Sequence, residues 1–523
     1  MNIVEILRRH ARERPHVPAI IDTQRGRARV TTFAELDQAS AQAATLLRQH
    51  GLRPGAAVLI LQPMSLELYV ALLALFRLGL VAMFLDPSAG REHMRRCCAL
   101  QPPAALIASG KAQLSRWLTP ALFCIPTIFA LGLTLPGAIP WSRSRRLPPC
   151  SDLFPCAADT PALLTFTSGS TGQPKAAVRS HGFLIAQHRT LENSLRLQPE
   201  TIDLTTLPIV LLANLASGVT SLIPNADLRN PGAVDPVPIL CQIDRHRPAS
   251  SAASPAFFER LIAACVQQGR ALPSFRRLFS GGAPVFPRLL DQLQSVAPQA
   301  EVVAVYGSTE AEPIAHIARH EISDEDMIAM REGKGLLAGG PVTDIQLCIL
   351  RDQWGTAIGP FTEETFLQER QPTNIPGEIV VNGDHVLTGY LHGQGDDETK
   401  FRVGDAVWHR TGDAGYLDEQ GRLWLLGRCS ARIGDDKGEL FPFAVESAVY
   451  QDPAVRRAAV VAHAGRRLLL VEPFAGMAVD VETIQRQVAW ACLDEIRLCT
   501  RIPVDKRHNA KIDYPALRQW LER

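Results

Sequence analysis

The stretch Thr165-Phe-Thr-Ser-Gly-Ser-Thr-Gly-Gln-Pro-Lys175 begins as an apolar strand and becomes a loop of hydroxyl side chains and glycines. We expect a helix over residues 183–195 to follow the lysine. Glycines let backbone N–H groups turn toward an anion, Ser and Thr add donors, and the lysine adds positive charge. The spacing is not that of a Walker A loop. The residues predicted to surround phosphate are Thr167, Ser168, Gly169, Ser170, Thr171, Gly172 and Lys175.

Helices alternate with short apolar strands on both sides of this loop. Residues 66–79 read as a helix and 80–85 as a strand, and helices over 257–268 and 289–296 are each followed by another strand. From Gly377 onward the strands become short and are separated by turns, which is typical of an antiparallel arrangement. About a hundred residues with their own small α/β pattern then follow.

This order predicts an α/β protein with a large N-terminal domain of helix-covered parallel sheets and a small antiparallel subdomain. A small mobile α+β domain completes the chain. We place the two domains at residues 1–428 and 432–523.

Composition limits the possible partners. The 523 residues include 54 basic and 53 acidic side chains, so the net charge gives no general attraction for nucleic acid or an anionic membrane. We therefore expect a small-molecule substrate and no nucleic acid. The 11 cysteines form no C-x-x-C and no zinc spacing, which predicts reduced thiols in a cytoplasmic protein. The oligomeric state cannot be read from the sequence.

Residues 117–141 contain no charged side chain and are numerous enough to span a bilayer. Four prolines (120, 126, 136 and 140) interrupt them, so a continuous helix is not expected. We predict a buried strand-and-loop region and no transmembrane segment; weak membrane association is the alternative.

Five more motifs follow the loop in order: Ser280-Gly-Gly-Ala-Pro284, Tyr306-Gly-Ser-Thr-Glu310, Thr411-Gly-Asp413, Gly427-Arg428 and Asn509-Ala-Lys-Ile512. Each alone has an ordinary structural interpretation, such as a turn cap, a surface carboxylate or an exposed lysine. Together with the loop, their order and approximate spacing resemble the adenylate-forming superfamily of acyl-CoA synthetases, nonribosomal peptide adenylation domains and luciferases.

The resemblance implies a role for each motif. Gly281, Gly282 and Ala283 would contact adenine, with Tyr306 beside it, and Asp413 and Arg428 would contact ribose. Thr309 would meet phosphate and Glu310 would ligate magnesium. Lys511 would be the catalytic lysine, which bridges the substrate carboxylate and the α-phosphate after the second domain closes.

Three departures from the superfamily pattern concern the acyl group and the second half-reaction. Leu211 stands where many acyl-CoA synthetases have histidine, and no aspartate is present there to hold an amino group. Ala431 replaces the usual hinge residue, and Ala510 replaces the glycine before Lys511. The residues predicted to line an apolar acyl pocket are Leu207, Leu211, Asn214 and Val305.

The run from Ile502 to Lys511, residues 222–231 and the hinge resemble the β-lactone synthetases of bacterial long-chain olefin biosynthesis. We therefore expect ATP- and Mg²⁺-dependent activation of a fatty acid to an acyl-adenylate. Two outcomes remain open: lactone formation from a 3-hydroxy acid without CoA, or thioester formation with CoA. A catalytically inactive nucleotide-binding scaffold is the non-enzymatic alternative. His181 is expected to start a helix rather than to act as a base.

Overall fold

A computed structural model describes residues 1–86, 90–168, 174–504 and 512–522. The chain divides into two compact units. The first comprises Met1–Leu228, Val237–Ala252 and Gly389–Asp396, and the second comprises Arg229–Pro236, Ala253–Thr388 and Asp397–Arg523. The domain boundary predicted at residues 428–432 lies inside the second unit. This boundary was placed at a hinge implied by the resemblance to the adenylate-forming superfamily, and it stays a prediction.

Residues 1–253 contain nine α-helices and twelve strands among the described residues. The helices are α1 (Val4–Glu13), α2 (Phe33–Gln49), α3 (Leu66–Arg77), α4 (Arg91–Leu100), α5 (Gly110–Leu118), α6 (Pro120–Phe123), α7 (His181–Leu195), α8 (Pro208–Ser217) and α9 (Pro236–His246). The strands are β1 (Pro18–Gln24), β2 (Arg27–Thr32), β3 (Ala57–Leu61), β4 (Val81–Phe84), β5 (Ala105–Ser109), β6 (Thr127–Leu131), β7 (Ile139–Pro140), β8 (Pro161–Ser168), β9 (Pro174–Ser180), β10 (Ile202–Thr205), β11 (Thr220–Leu222) and β12 (Ser250–Ala253).

Seven strands of the first unit form one sheet in the order β7-β6-β5-β3-β4-β8-β9. Its neighbouring strands are parallel except for β8 and β9. The remaining strands run β12-β10-β11-β1-β2, with only β1 and β2 antiparallel. Every residue of β3 is buried, as expected of a strand covered on both faces. The predicted helix-covered parallel sheets are confirmed.

The helix predicted over residues 183–195 is present, but a strand that was not predicted separates it from the glycine-rich loop. An antiparallel strand, β9, comes first and places Lys175 opposite Thr167. Its apolar residues Ala176 and Ala177 are fully buried against β8, which explains why the chain pairs there. Helix α7 begins only at His181, whose role as a helix-start residue is confirmed. Ser180 caps this helix by accepting from the N–H of Phe183 (3.1 Å).

The charge-free residues 117–141 form α6, β6 and β7, so the predicted strand-and-loop region also contains a short helix. In the part of the chain that the structure describes, no helix combines the length and apolar character needed to cross a bilayer.

The remainder of the chain contains the helices α10 (Pro255–Gln267), α11 (Pro287–Val296), α12 (Asp324–Arg331), α13 (Glu363–Glu369), α14 (Asp396–Thr399), α15 (Pro442–Val449), α16 (Val481–Gln487) and α17 (Tyr514–Leu521). Its strands are β13 (Arg277–Ser280), β14 (Glu301–Ser308), β15 (Ala311–Ala318), β16 (Leu336–Pro341), β17 (Gln346–Leu350), β18 (Gly377–Asn382), β19 (Lys400–Val403), β20 (Ala406–Leu417), β21 (Leu423–Arg428), β22 (Ile433–Asp435), β23 (Gly438–Leu440), β24 (Val455–His463), β25 (Arg466–Pro473) and β26 (Glu495–Leu498).

In the second unit the strands run β17-β18-β20-β21-β16-β15-β14-β13, and β19 pairs with β20. All of these pairs are antiparallel except β13 with β14. Not all strands after Gly377 are short as predicted: β20 has 12 residues, and its pairing with β21 shifts register between Ala414 and Gly415. Nearer the end of the chain, β22-β23 and β24-β25-β26 form two small sheets. These observations confirm the α/β fold class.

Residues after 441 pack on an earlier part of the same unit. The rings of Phe286 and Tyr450 stack with their centroids 4.1 Å apart at 12°. Arg288 Nη1 donates to the carbonyl oxygens of residues 452, 453 and 455, each at 3.3 Å.

Candidate active site

Three predicted nucleotide-binding residues meet in the second unit. Asp413 on β20 lies directly opposite Arg428 on β21, and Arg428 Nε is 3.2 Å from Asp413 Oδ1. The Tyr306 hydroxyl donates to Asp413 Oδ2 at 2.7 Å. Arg428 Nη1 also donates to the carbonyl oxygen of Thr411 (3.1 Å). Both carboxylate oxygens of Asp413 are therefore oriented by neighbouring side chains.

Charge and burial fix the protonation of this group. Burial, followed by the Asp413 charge and hydrogen bond, raises the pKa of Tyr306 well above its ordinary value. The Asp413 charge, as the largest influence, raises the pKa of Arg428. At neutral pH the phenol is protonated and the guanidinium is charged. An aromatic ring beside an anionic acceptor suits a planar base carrying a vicinal diol.

The backbone around Asp413 is closely held. Thr411 Oγ1 donates to the carbonyl oxygen of Ile379 (2.8 Å) and accepts from the N–H of Asp413 (3.0 Å). Between them Gly412 has φ +71°, and a Cβ there would lie 2.8 Å from the ring of Trp354. Only glycine fits this position without strain, which explains the Thr-Gly-Asp order.

The end of β13 supplies exposed backbone. A Cβ on Gly281 would come within 2.9 Å of the carbonyl oxygen of Val305, while Gly282 has φ +80° and nothing within 4 Å of its Cβ position. Ser280 is fully buried, and its hydroxyl has no hydrogen-bond partner among the described residues. Gly282 thus leaves room for a ligand to approach the main chain, while Gly281 lets β13 pack closely on Val305.

Thr309 and Glu310 form the turn between β14 and β15. The Ser308 hydroxyl accepts from the N–H groups of Glu310 and Ala311, both at 3.3 Å. The N–H of Leu387 donates to the carbonyl oxygen of Glu310 at 2.7 Å. The peptide that carries the Glu310 carboxylate is therefore fixed at both its N–H and its C=O.

A buried Lys400–His409 pair, which sequence reasoning did not identify, supports this turn. Lys400 Nζ contacts the carbonyl oxygen of Leu387 and lies 3.1 Å from His409 Nδ1. Burial lowers the pKa of His409 to about 3, and the Lys400 charge contributes in the same direction, so the imidazole is neutral. Glu310 opposes that shift, which shows that its carboxylate acts on the same region.

A second buried charge pair underlies the Asp413 strand. Arg410 on β20 and Glu378 on β18 are both fully buried, with Arg410 Nη2 2.6 Å from Glu378 Oε2. Arg410 Nη1 donates to the carbonyl oxygen of Thr356 (2.6 Å). Sequence reasoning did not identify this pair, because Arg410 stands between the polar residues His409 and Thr411 and nothing local marks it as buried.

The phosphate-loop residues belong to the first unit. Thr167 and Ser168 end β8, and Gly169, Ser170, Thr171 and Gly172 lie outside the described residues. Lys175 is buried on β9, with Nζ 5.9 Å from the ring centroid of Tyr390. A Cβ on Gly395 would come within 2.5 Å of the Lys175 side chain, so glycine is needed there. Tyr390 and Gly395 were not predicted.

The proposed acyl-pocket residues fall into two groups. Leu207 precedes α8, and Leu211 and Asn214 are buried on it. Asn214 Nδ2 donates to Thr205 Oγ1 and Ser221 Oγ, both at 3.1 Å, so its amide faces the neighbouring strands. Val305 lies on β14 in the second unit. Their role in acyl binding stays a prediction, and Lys511 lies outside the described residues.

Comparison with known proteins gives full-length matches. The model of the AMP-binding enzyme family covers residues 7–391. An olefin beta-lactone synthetase of Xanthomonas campestris pv. campestris is 32% identical, over 99% of this chain and 97% of that one. An indoleacetate–CoA ligase of Aromatoleum aromaticum is 28% identical, over 92% of this chain and 90% of that one.

Solved structures agree in fold. An anthranilate CoA ligase in complex with anthranoyl-AMP superposes with a TM-score of 0.82 at 18% identity, covering 99% of this chain and 97% of that one. An amide bond synthetase from Marinactinospora thermotolerans gives 0.80 at 21% identity and 99% coverage of both. With the motif residues assembled as described, this chain belongs to the AMP-binding enzyme family and activates a carboxylic acid as its adenylate.

Proposed function

We propose that the protein converts a 3-hydroxy fatty acid into a β-lactone through an acyl-adenylate. The observation that carries this proposal is the pair of olefin beta-lactone synthetases that match 99% of the chain at 32% and 30% identity. The indoleacetate–CoA ligase matches less of the chain at lower identity. The apolar residues Leu207 and Leu211 on the first unit favour an alkyl chain as the acyl group.

In the proposed first step Asp413 accepts from the ribose hydroxyls and Arg428 orients Asp413. Tyr306 lies beside adenine, and the backbone at Gly281, Gly282 and Ala283 contacts it. These roles agree with the ion pair, the short Tyr306 hydrogen bond and the open backbone position at Gly282. Because the donors are held before ATP binds, little reorganisation is needed during reaction.

Magnesium fits this site on the chemistry of its donors. Glu310 offers one carboxylate on a fixed turn, and the described residues contain no group of three or more His, Cys, Asp or Glu that could form a closed metal site. Mg²⁺ is usually held by one or two carboxylates together with substrate phosphates and waters. When bound, it would neutralise phosphate charge. Thr309 and the phosphate loop would donate to the phosphates.

We assign Lys511 to the step that joins two anions, the substrate carboxylate and the α-phosphate of ATP. Its ammonium would contact the substrate carboxylate and the α-phosphate as the carboxylate oxygen attacks phosphorus and pyrophosphate leaves. Removing such a positioned charge typically costs about 10²–10³ in rate.

In the second step the 3-hydroxyl oxygen attacks the acyl carbon of the same molecule. A C–O bond forms, the bond from the acyl carbon to AMP breaks, and the hydroxyl proton leaves to solvent. An internal nucleophile can replace a thiol because it is already held close to the carbonyl. Thioester formation with CoA is the second candidate, favoured by the CoA ligases among the relatives.

Incubation of a 3-hydroxy fatty acid with ATP and Mg²⁺, with and without CoA, separates the two. We expect AMP, pyrophosphate and lactone in equal amounts without CoA. A product that forms only with CoA would contradict lactone formation. The matching 3-deoxy acid should give the adenylate and no lactone.

Lys511→Ala tests the first step. ATP binding should persist, while pyrophosphate release falls by about 10²-fold or more because the bridging charge is lost. Lys437→Ala, an exposed lysine paired with Asp494, is the control. Undiminished pyrophosphate release would contradict the assignment.

The compartment is also part of the proposal. None of the eleven cysteines forms a disulfide in the described part of the chain, which supports a reducing environment such as the cytoplasm.

A further inference from the structure

A long segment of the first unit contains no acidic side chain. From His93 to Ser151 there are seven Lys and Arg residues and no Asp or Glu, which leaves 47 basic against 53 acidic residues elsewhere. Arg95 and Arg96 pair with Glu92, just before the segment. Five basic residues remain without an acidic residue near them in sequence. The chain is nearly neutral, yet this part of it carries a concentrated positive charge.

The fold gathers this segment at one edge of the seven-stranded sheet. It supplies the first three strands in the sheet order, edge strand β7, then β6 and β5, and covers both faces beside them. On one face Ile128 of β6 shares a core cluster with Leu122 of α6. On the other, the Phe129 ring meets Trp141 edge-on at 6.1 Å, at the start of the 3₁₀ helix Trp141–Arg146.

Large apolar side chains are exposed at the same edge. Leu133, Phe123 and Leu114 are 70%, 56% and 49% exposed. The loop that carries Leu133 is fixed to α5, because the Gln113 side chain donates to the carbonyl oxygen of Leu133 (2.8 Å) and accepts from the N–H of Leu135 (3.3 Å).

Cationic side chains, one half-buried and three exposed, accompany these apolar groups. The guanidinium of Arg116 lies 5.3 Å from the centre of the Phe123 ring. Arg143, Arg145 and Arg146 are exposed on the 3₁₀ helix. Over residues 1–86, 90–168, 174–504 and 512–522, no carboxylate forms an ion pair with any of these four arginines.

We propose that this edge surface, comprising Leu114, Phe123, Leu133, Arg143, Arg145 and Arg146, docks on an anionic lipid bilayer. The arginines would meet anionic headgroups, and the leucines and phenylalanine would enter the boundary with the acyl chains. A nucleic acid duplex would complement the arginines but would leave exposed aliphatic side chains such as Leu133 without a partner. The charge of the segment and its apolar exposure therefore favour a bilayer.

Co-sedimentation with vesicles tests this proposal without ATP or acid, so its result is independent of the proposed reaction. At low ionic strength the full chain should pellet with vesicles of phosphatidylcholine and phosphatidylglycerol, and remain in solution with phosphatidylcholine alone. Binding should weaken as salt is added, because surface charges are screened.

Two triple variants separate the contribution of positive charge to vesicle binding from that of apolar surface. R143S/R145S/R146S should reduce partition onto the mixed vesicles on the order of a hundredfold, since each basic residue near an anionic surface contributes roughly a factor of five. L114S/F123S/L133S should reduce it by about tenfold or more because three apolar side chains no longer leave water.

The matched controls alter exposed residues elsewhere: R27S/R53S/R245S for charge and V266S/I328S/L367S for apolar surface. Both should bind vesicles as the parent does, and all four variants should keep its thermal unfolding midpoint. The proposal is wrong if the parent does not pellet with anionic vesicles, or if both edge variants bind as it does. Tighter binding to duplex DNA than to vesicles would also overturn it.

Discussion

Asp413 is held by Tyr306 through one carboxylate oxygen and by Arg428 through the other. Asp413→Asn keeps the shape of the side chain but removes the negative charge that attracts Arg428 and accepts from Tyr306, and that would accept from a ribose hydroxyl. ATP binding should weaken by about ten- to a hundredfold, because a hydrogen bond to a charged acceptor contributes roughly 1.5–3 kcal/mol. The measurement is the nucleotide Kd, together with the KM for ATP in pyrophosphate exchange.

Asp405→Asn, on the exposed turn before β20, is the control. Equal ATP affinity in the two variants would show that Asp413 does not contact the nucleotide.

Asp203 on β10 gives a pH prediction. Burial raises its pKa to about 7, although the nearby polar groups of Asn214 and Thr205 oppose that shift. The folded protein keeps this proton where the unfolded chain loses it, above about pH 4. As the pH rises from about 4 to 7, the contribution of Asp203 to the free energy of unfolding therefore falls, by at most roughly 1.4 kcal/mol per pH unit. Above about pH 7 this contribution no longer changes.

Asp203→Asn removes this dependence while keeping a neutral group of the same shape. Its unfolding midpoint should rise relative to the parent protein as the pH increases from 4 to 7. Unfolding midpoints that change in parallel with pH in the two proteins would contradict the raised pKa of Asp203. Asp159→Asn, at an exposed site, is the control.

At the scale of elements, β20 carries a buried cation, Arg410, three residues before Asp413, the residue proposed to contact ribose. Glu378→Gln would leave the Arg410 charge without its counter-ion, and should destabilise the fold by about 3–5 kcal/mol. Glu92→Gln, in an exposed pair with Arg95, should leave stability almost unchanged, because solvent screens the pair. Thermal or denaturant unfolding measures both.

The double variant E378M/R410M should recover most of the loss, because two apolar side chains of similar size need no charge partner. If Glu378→Gln is no more destabilising than Glu92→Gln, the buried pair does not hold β18 and β20 together.

These elements also show how far the sequence could predict the site. Asp413 and Tyr306 could be identified from the Thr-Gly-Asp and Tyr-Gly-Ser-Thr-Glu motifs. In each motif the local backbone conformation requires a particular neighbouring residue, such as the glycine at 412 or the hydroxyl at 308. Glu378–Arg410 and Lys400–His409 could not be predicted, since each pair depends on how strands are placed side by side. Strand β9 was missed because its short apolar run does not distinguish a strand from the start of a helix.

At the scale of the whole molecule, Arg288 joins the last part of the chain to an earlier part of the second unit. Arg288→Met should loosen this contact and speed trypsin cleavage between residues 428 and 432 by about threefold or more, because local opening exposes the backbone. Time-resolved cleavage of the full chain measures the rate. Arg276→Met, which removes an exposed contact with Gln299, should leave it unchanged. Equal rates in both variants would mean that Arg288 does not restrain the segment.

The uneven placement of acidic residues has a practical consequence. With 54 basic and 53 acidic residues and a pI near 7.6, the chain as a whole should hardly be retained by an ion exchanger at neutral pH. Chromatographic retention, however, depends on the face that meets the resin. Residues 93–151 present cations without local anions, so we expect the protein to bind a cation exchanger at low salt and to elute as salt screens that face. A purification planned from the net charge alone would miss this.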